Sequence, residues 1–195
     1  MGKQDRGPSQ AFRAEATRRW FLAGAAAAIA GGDAGAAHGA VDPRYAMGIA
    51  LYNVNTGESV RTEFWDGLAF VDEAVAEINF LLRDWRTGAI GRMDLRLLLT
   101  LHHTAKALNC DQPFELISGF RSESSNLMLH TRSPEGVPER SYHMYGMAID
   151  VRLPGYRTLD LRDAAYVTAG GQGGFGYYPE DDFVHIDTGR ISRIW

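Results

Sequence analysis

Residues 141–150 read SYHMYGMAID, and residues 182–187 read DFVHID. Each stretch sets an imidazole and a carboxylate in an otherwise small or apolar run. In the first, His143 and Asp150 stand seven positions apart, with Gly146 and Ala148 between them. MAIDVRL (147–153) has the β-branched, apolar content of a strand, so Asp150 lies within a strand and His143 in the loop that enters it. In the second, His185 lies between Val184 and Ile186 and faces away from both on a strand, with Asp187 on its own side. Two readings stand open. The polar groups pair with one another in a core, as buried polar groups do, or they point at a shared third partner, a metal ion. His143, Asp150 and His185 would make a three-ligand set that leaves zinc an open position, the pattern of a catalytic rather than a structural site.

Working outward, IALYNVNTGESVRTEFW (49–65) reads as a hairpin around Gly57. Apolar positions 75, 78, 81, 82 and 85 recur at three and four, which predicts a helix over 72–85. A second helix over 94–108 opens at Asp94, and a third over 122–131 at Ser122. FELISGF (114–120) suits a buried strand, and residues 158–169 a helix capped by Thr158. Residues 132–140 hold two prolines and form an exposed loop, GGQGG (170–174) is a turn, and FGYY with DFVHID forms a C-terminal hairpin-like pair. Helices come first and between strands, and the strands cluster late with short connections. That order predicts an α+β fold, a small antiparallel sheet with helices packed on it, in a single domain over 41–195.

The chain of 195 residues is long enough for one domain with a real core. A formal charge of −4 argues against a nucleic-acid partner, which needs a basic stripe. Six histidines against one cysteine exclude cysteine-rich zinc modules. Cys110 reads as a small buried apolar residue, with a catalytic thiol as the alternative. His102 and His103 are adjacent on a helix and cannot face one site together, and with His130 they read as surface or interface residues.

Residues 1–40 read as an export signal and linker. A basic lead precedes the twin arginine Arg18-Arg19, then Phe21-Leu22, an Ala/Gly-rich run, and small residues near Ala34–Ala36. The paired arginines indicate the twin-arginine route and a periplasmic or otherwise exported protein, with membrane contact only through an uncleaved signal. Removing residues 1–36 takes the formal charge from −4 to −6.

SGFRS (118–122), SYHMYGMAID (141–150) and GYYPEDDFVHIDTGRISRIW (176–195) together resemble the motif series of the zinc D-alanyl-D-alanine peptidase superfamily (LAS-type), nearest to its periplasmic murein endopeptidase K family. The resemblance covers roughly residues 45–195, and the ordered set is far more specific than any one piece. It implies the LAS-type fold, a Zn2+ cofactor on His143, Asp150 and His185, and hydrolysis of amide bonds in peptidoglycan peptides; the chain is expected to act as a monomer. It implies that Arg121 steadies negative charge on the substrate, for which a fixed guanidinium fork suits better than lysine. A surface salt bridge is the plain alternative. Asp182, three residues before His185, is the candidate general base, and a solvent-exposed turn carboxylate is the other reading of it. Asp187 either holds His185 in orientation or shuttles protons. A non-catalytic wall-binding module that keeps the zinc fold, and a metal-free structural domain, remain as competitors.

Overall fold

The computed structural model describes residues 45–195. The export signal and linker expected over 1–40 lie outside the described residues. The hairpin forms as expected: β1 (Met47–Asn53) and β2 (Ser59–Trp65) pair antiparallel.

Helix α1 (Asp72–Leu81) buries Ala74, Ile78 and Leu81. It stops short of Trp85 because the next residues serve other partners. The Leu82 carbonyl accepts the Phe120 N–H at 2.7 Å, and the Asp84 carbonyl accepts the Gly88 N–H at 2.7 Å. In α2 (Leu95–Ala107) Asp94 caps the N-terminus by accepting the Arg96 N–H at 2.9 Å. In α3 (Glu123–Arg132) Ser122 does the same for Ser125 at 3.3 Å. Helix α4 (Thr158–Thr168) departs from expectation: Arg157 occupies the cap position without a side-chain capping bond, and the Thr158 hydroxyl donates to Asp182 instead.

The remaining strands are β3 (Phe114–Ser118), β4 (Ala148–Arg152), β5 (Gly174–Tyr178), β6 (Phe183–Asp187) and the short β7 (Arg193–Ile194). They join β1 and β2 in one seven-stranded sheet of order β2-β1-β3-β4-β6-β5-β7. The fold is α+β, but the sheet is neither small nor purely antiparallel. β1 runs parallel to β3, and β5 parallel to β7. The first of these parallel pairs follows from α1 and α2, which lie between the hairpin and β3 and supply the long crossover that a parallel neighbour requires.

One face of the sheet is apolar. Leu51, Phe114, Leu116, Ile149, Val151, Phe175, Val184 and Ile186 are all buried in the core, where α2 and α4 pack on the sheet and on each other. Full burial of one such side chain stabilises the fold by roughly 1.5–3 kcal/mol. Strand β4 is buried on both faces, so Asp150 is buried like the Ile149 before it.

Candidate metal centre

The register of the sheet brings the two histidine-bearing stretches together. Asp150 on β4 is the direct cross-strand partner of His185 on β6. Opposite residues of an antiparallel pair point to one face. Their flanking pairs, Ile149–Ile186 and Val151–Val184, point to the other face and into the core. His143 arrives from a single 3-10 turn, Tyr142–Tyr145, whose cap Ser141 accepts the His143 N–H at 3.4 Å. Gly146 closes that turn with φ of 66°, and a Cβ there would lie 2.1 Å from the Arg92 carbonyl oxygen. Only glycine satisfies both demands.

The geometry is tight. His185 Nδ1 lies 2.8 Å from Asp150 Oδ1, His143 Nε2 lies 3.2 Å from Asp150 Oδ2, and the two ring nitrogens are 3.3 Å apart. One ligand atom from each residue falls within 4.8 Å of the other two. The outward nitrogens are occupied: His143 Nδ1 lies 2.8 Å from the Gly119 carbonyl, and His185 Nε2 3.3 Å from Asp187 Oδ2. With a cation bound, those partners would keep one proton of each ring on the far side and leave the other nitrogen's lone pair inward. Two inward lone pairs and a carboxylate make a donor set suited to a divalent cation.

Without a cation, the electrostatics agree with that fit at His143 and Asp150. Burial pushes the His143 imidazole down, toward the neutral form a ligand needs. Burial opposes ionisation of Asp150, but His143 and His185 outweigh it and hold the carboxyl well below the usual range. Burial likewise acts against a charged His185, yet hydrogen bonds to Asp150 and Asp187 raise it to about 9. Without a cation, a proton on His185 thus balances two carboxylates.

Arg121 is a buried neighbour of this cluster rather than a surface ion pair. Its Nη2 lies 3.5 Å from Asp150 Oδ2 and donates to Ser118 Oγ at 3.2 Å, while Nη1 donates to Asn126 Oδ1 at 3.4 Å. Its Nε is enclosed and without a partner. Asp187 uses its second oxygen, Oδ1, to accept the N–H groups of Gly174 at 3.1 Å and Gly189 at 2.8 Å. Burial works against its charge, but His185 and these amides keep it low. That bonding suits orientation of His185.

Asp182 is not brought to the cluster. It sits in the β5–β6 turn at φ of 51°, with a side chain 63% exposed. Its carboxylate accepts from the Thr158 hydroxyl at 2.5 Å and lies 4.0 Å from Arg152. Among the described residues no hydrogen bond or ion pair joins it to His143, Asp150, His185 or Arg121. Two further histidines among the described residues have other partners: His102 Nδ1 meets the Gly48 carbonyl, and His130 Nδ1 the Val137 carbonyl. Cys110 is half-buried against the core with a free thiol. A cavity of about 740 Å3 opens between α2 and the Asp187–Ser192 segment, and His143, Asp150 and His185 take no part in its lining.

Sequence reasoning missed Asp84. It lies in a turn with no motif around it, yet it is buried and accepts the N–H of Ser122 at 2.9 Å and of Arg86 at 3.0 Å, as well as the Ser122 hydroxyl. It therefore anchors the residue next to Arg121. With the Leu82–Phe120 bond, it fixes the segment whose Gly119 carbonyl orients His143.

The family model for peptidoglycan L,D-endopeptidase MepK matches residues 39–195. The chain belongs to that family. It is 40% identical over 147 residues to peptidoglycan L,D-endopeptidase MepK of Escherichia coli (strain K12), covering 75% of this chain and 79% of that protein. It is 34% identical over 148 residues to the probable peptidoglycan L,D-endopeptidase MepK of Haemophilus influenzae, covering 75% and 77%. The sequence motifs that carried the resemblance all fall inside the matched span.

Proposed function

We propose that this chain is an exported, zinc-dependent peptidoglycan endopeptidase with the LAS-type zinc peptidase fold. It hydrolyses amide bonds between L- and D-configured centres in cell-wall peptides. The observation that carries this reading is the convergence of His143, Asp150 and His185 within 4.8 Å, in a family named for that activity. These three residues would hold the ion. Zinc there supplies Lewis acidity, polarising a carbonyl and lowering the pKa of water toward ~7.

The rest is done by the chain's own groups. Gly119 and Asp187 keep the His143 and His185 protons on their outer nitrogens, so both rings present lone pairs to the cluster. Arg121, a fixed cation 3.5 Å from Asp150, balances the ligand carboxylate and stabilises negative charge developing on the substrate oxygen. Asp187, already ionised and bound to two amides, positions His185 rather than carrying protons away. Export rests on the twin-arginine pattern in residues 1–40 and on the wall-acting relatives. Among the described residues no helix is long and apolar enough to cross a membrane.

One observation favours the non-catalytic reading: the acid expected as base, Asp182, is engaged by Thr158 instead. Digestion of isolated sacculi with metal-loaded protein, followed by mass analysis of the products, separates the two. The enzyme reading expects new muropeptides cut at L,D bonds. Intact sacculi, where a known endopeptidase cuts them, would leave the binding module.

A further inference from the structure

The C-terminal strand β7 reaches the metal centre, and nothing in the catalytic reading uses it. β7 pairs parallel with β5, Gly174 opposite Arg193 and Phe175 opposite Ile194. The Trp195 N–H donates to Phe175 at 3.2 Å, and the Tyr177 N–H donates to the Trp195 carbonyl at 2.8 Å. This pairing lays the Trp195 indole against His185, ring centroids 5.7 Å apart. Its floor is two glycines. A Cβ at Gly176 would stand 2.8 Å from the indole, and one at Gly174 would stand 3.1 Å from it. Any other residue at either position would lift the indole off the sheet. The indole Nε1 donates to the Tyr178 hydroxyl at 3.1 Å, which fixes the ring's rotation.

Arg193, two residues earlier and on the same side of β7, lies with its guanidinium 4.4 Å from the Trp195 ring centre. Arg193 is exposed and forms no ion pair among the described residues. Stacking uses the face of a guanidinium and leaves its in-plane N–H donors free, the arrangement that binds a carboxylate. Trp195 itself is 41% exposed. A pinned aromatic plate carrying an unpaired cation, beside a candidate metal ligand, is a recognition surface.

We propose that Trp195 and Arg193 form a substrate subsite for a peptide residue bearing a free carboxylate, one residue removed from the bond cleaved at the metal. Successive Cα atoms are ~3.8 Å apart, so a plate 5.7 Å from His185 reaches the neighbour of the scissile amide rather than a distant part of the wall. The indole takes the apolar stem of that residue and Arg193 its carboxylate. This rests on the peptidoglycan reading above.

The test is direct binding of a purified cross-linked muropeptide dimer, its scissile amide replaced by a non-hydrolysable reduced amide, to zinc-loaded full-length protein by calorimetry, so that binding is read without turnover. Arg193→Gln is expected to weaken binding about 5–10-fold and to flatten its salt dependence, with Arg193→Lys recovering part of the loss. Trp195→Ala is expected to weaken it about 10-fold, and Trp195→Phe, which keeps an aromatic face, about 3-fold. Capping the dimer's free carboxylates as amides should remove the difference between wild type and Arg193→Gln. Quenching of tryptophan fluorescence by bound Co2+ should fall away in Trp195→Phe, an independent check of proximity to the metal. Unchanged affinity in folded, zinc-containing Arg193→Gln and Trp195→Ala would overturn the subsite while leaving the endopeptidase reading intact. A wild-type protein that neither binds the analogue nor cleaves the native dimer would end both.

Discussion

Two faces of the same two strands carry opposite chemistry. On one side of β4 and β6, Ile149–Ile186 and Val151–Val184 close an apolar core under α2 and α4. On the other, the intervening pair Asp150–His185 meets His143 and Arg121 in a buried polar cluster. A single register sets both, because side chains alternate along a strand. The difference lies in what each face costs when disturbed. The apolar face loses contacts in proportion to what is removed, whereas the polar face is a balance of charges in which one deletion strands the others.

The largest effect should therefore come from the polar side. Asp150→Ala leaves Arg121 and a charged His185 enclosed without their anion, and metal-free protein is expected to lose about 3–5 kcal/mol in urea unfolding. Ile149→Ala, its neighbour on the other face, is expected to lose about 3 kcal/mol through a cavity, with zinc per folded chain unchanged. Loss of zinc from Ile149→Ala, or a milder cost for Asp150→Ala than for Ile149→Ala, would break the contrast.

Much of this arrangement was legible because it follows local rules. The alternation in DFVHID put His185 and Asp187 on one face, and β6 does so. Asp94 and Ser122 cap their helices as their residue types demand. Sheet order was not legible, because the β1–β3 contact joins segments on either side of two helices, and the two-residue β7 is too short to leave a pattern. Spacing alone also left the direction of the Asp182 side chain open. Three residues before His185 is the right distance along the chain, but a turn residue at φ of 51° sends its carboxylate to Thr158. Asp84 gave no signal because its role depends on Ser122, 38 positions away.

Asp84 sharpens the comparison at the cluster's support. Burial raises its pKa, but bonds from Ser122 and from the Arg86 amide outweigh that and lower it from 3.8 to about 2. A carboxyl depressed on folding contributes stability above its unfolded pKa and loses it as the folded group protonates. The contribution, about 1–2 kcal/mol, should be complete above pH 3.8 and should drain away as pH falls toward 2. Asp84→Asn is expected to flatten that acid limb in pH-dependent unfolding. An identical limb in the variant would remove Asp84 from the account.

The smallest effect is expected at Asp182, on the exposed turn. Asp182→Ala should change stability by less than about 0.5 kcal/mol, since its partners are solvated, and should leave sacculus digestion within about twofold. A large loss of activity without a loss of zinc would return the base to Asp182 and mean that the β5–β6 turn closes on substrate.

The most direct measurement is the zinc content of the purified chain, set beside that of His143→Ala. About one zinc per wild-type chain, and its loss from the variant while the protein stays folded, is the result that convergence of His143, Asp150 and His185 requires. A wild-type chain that takes up no zinc, or a variant that binds it undiminished, would contradict the account.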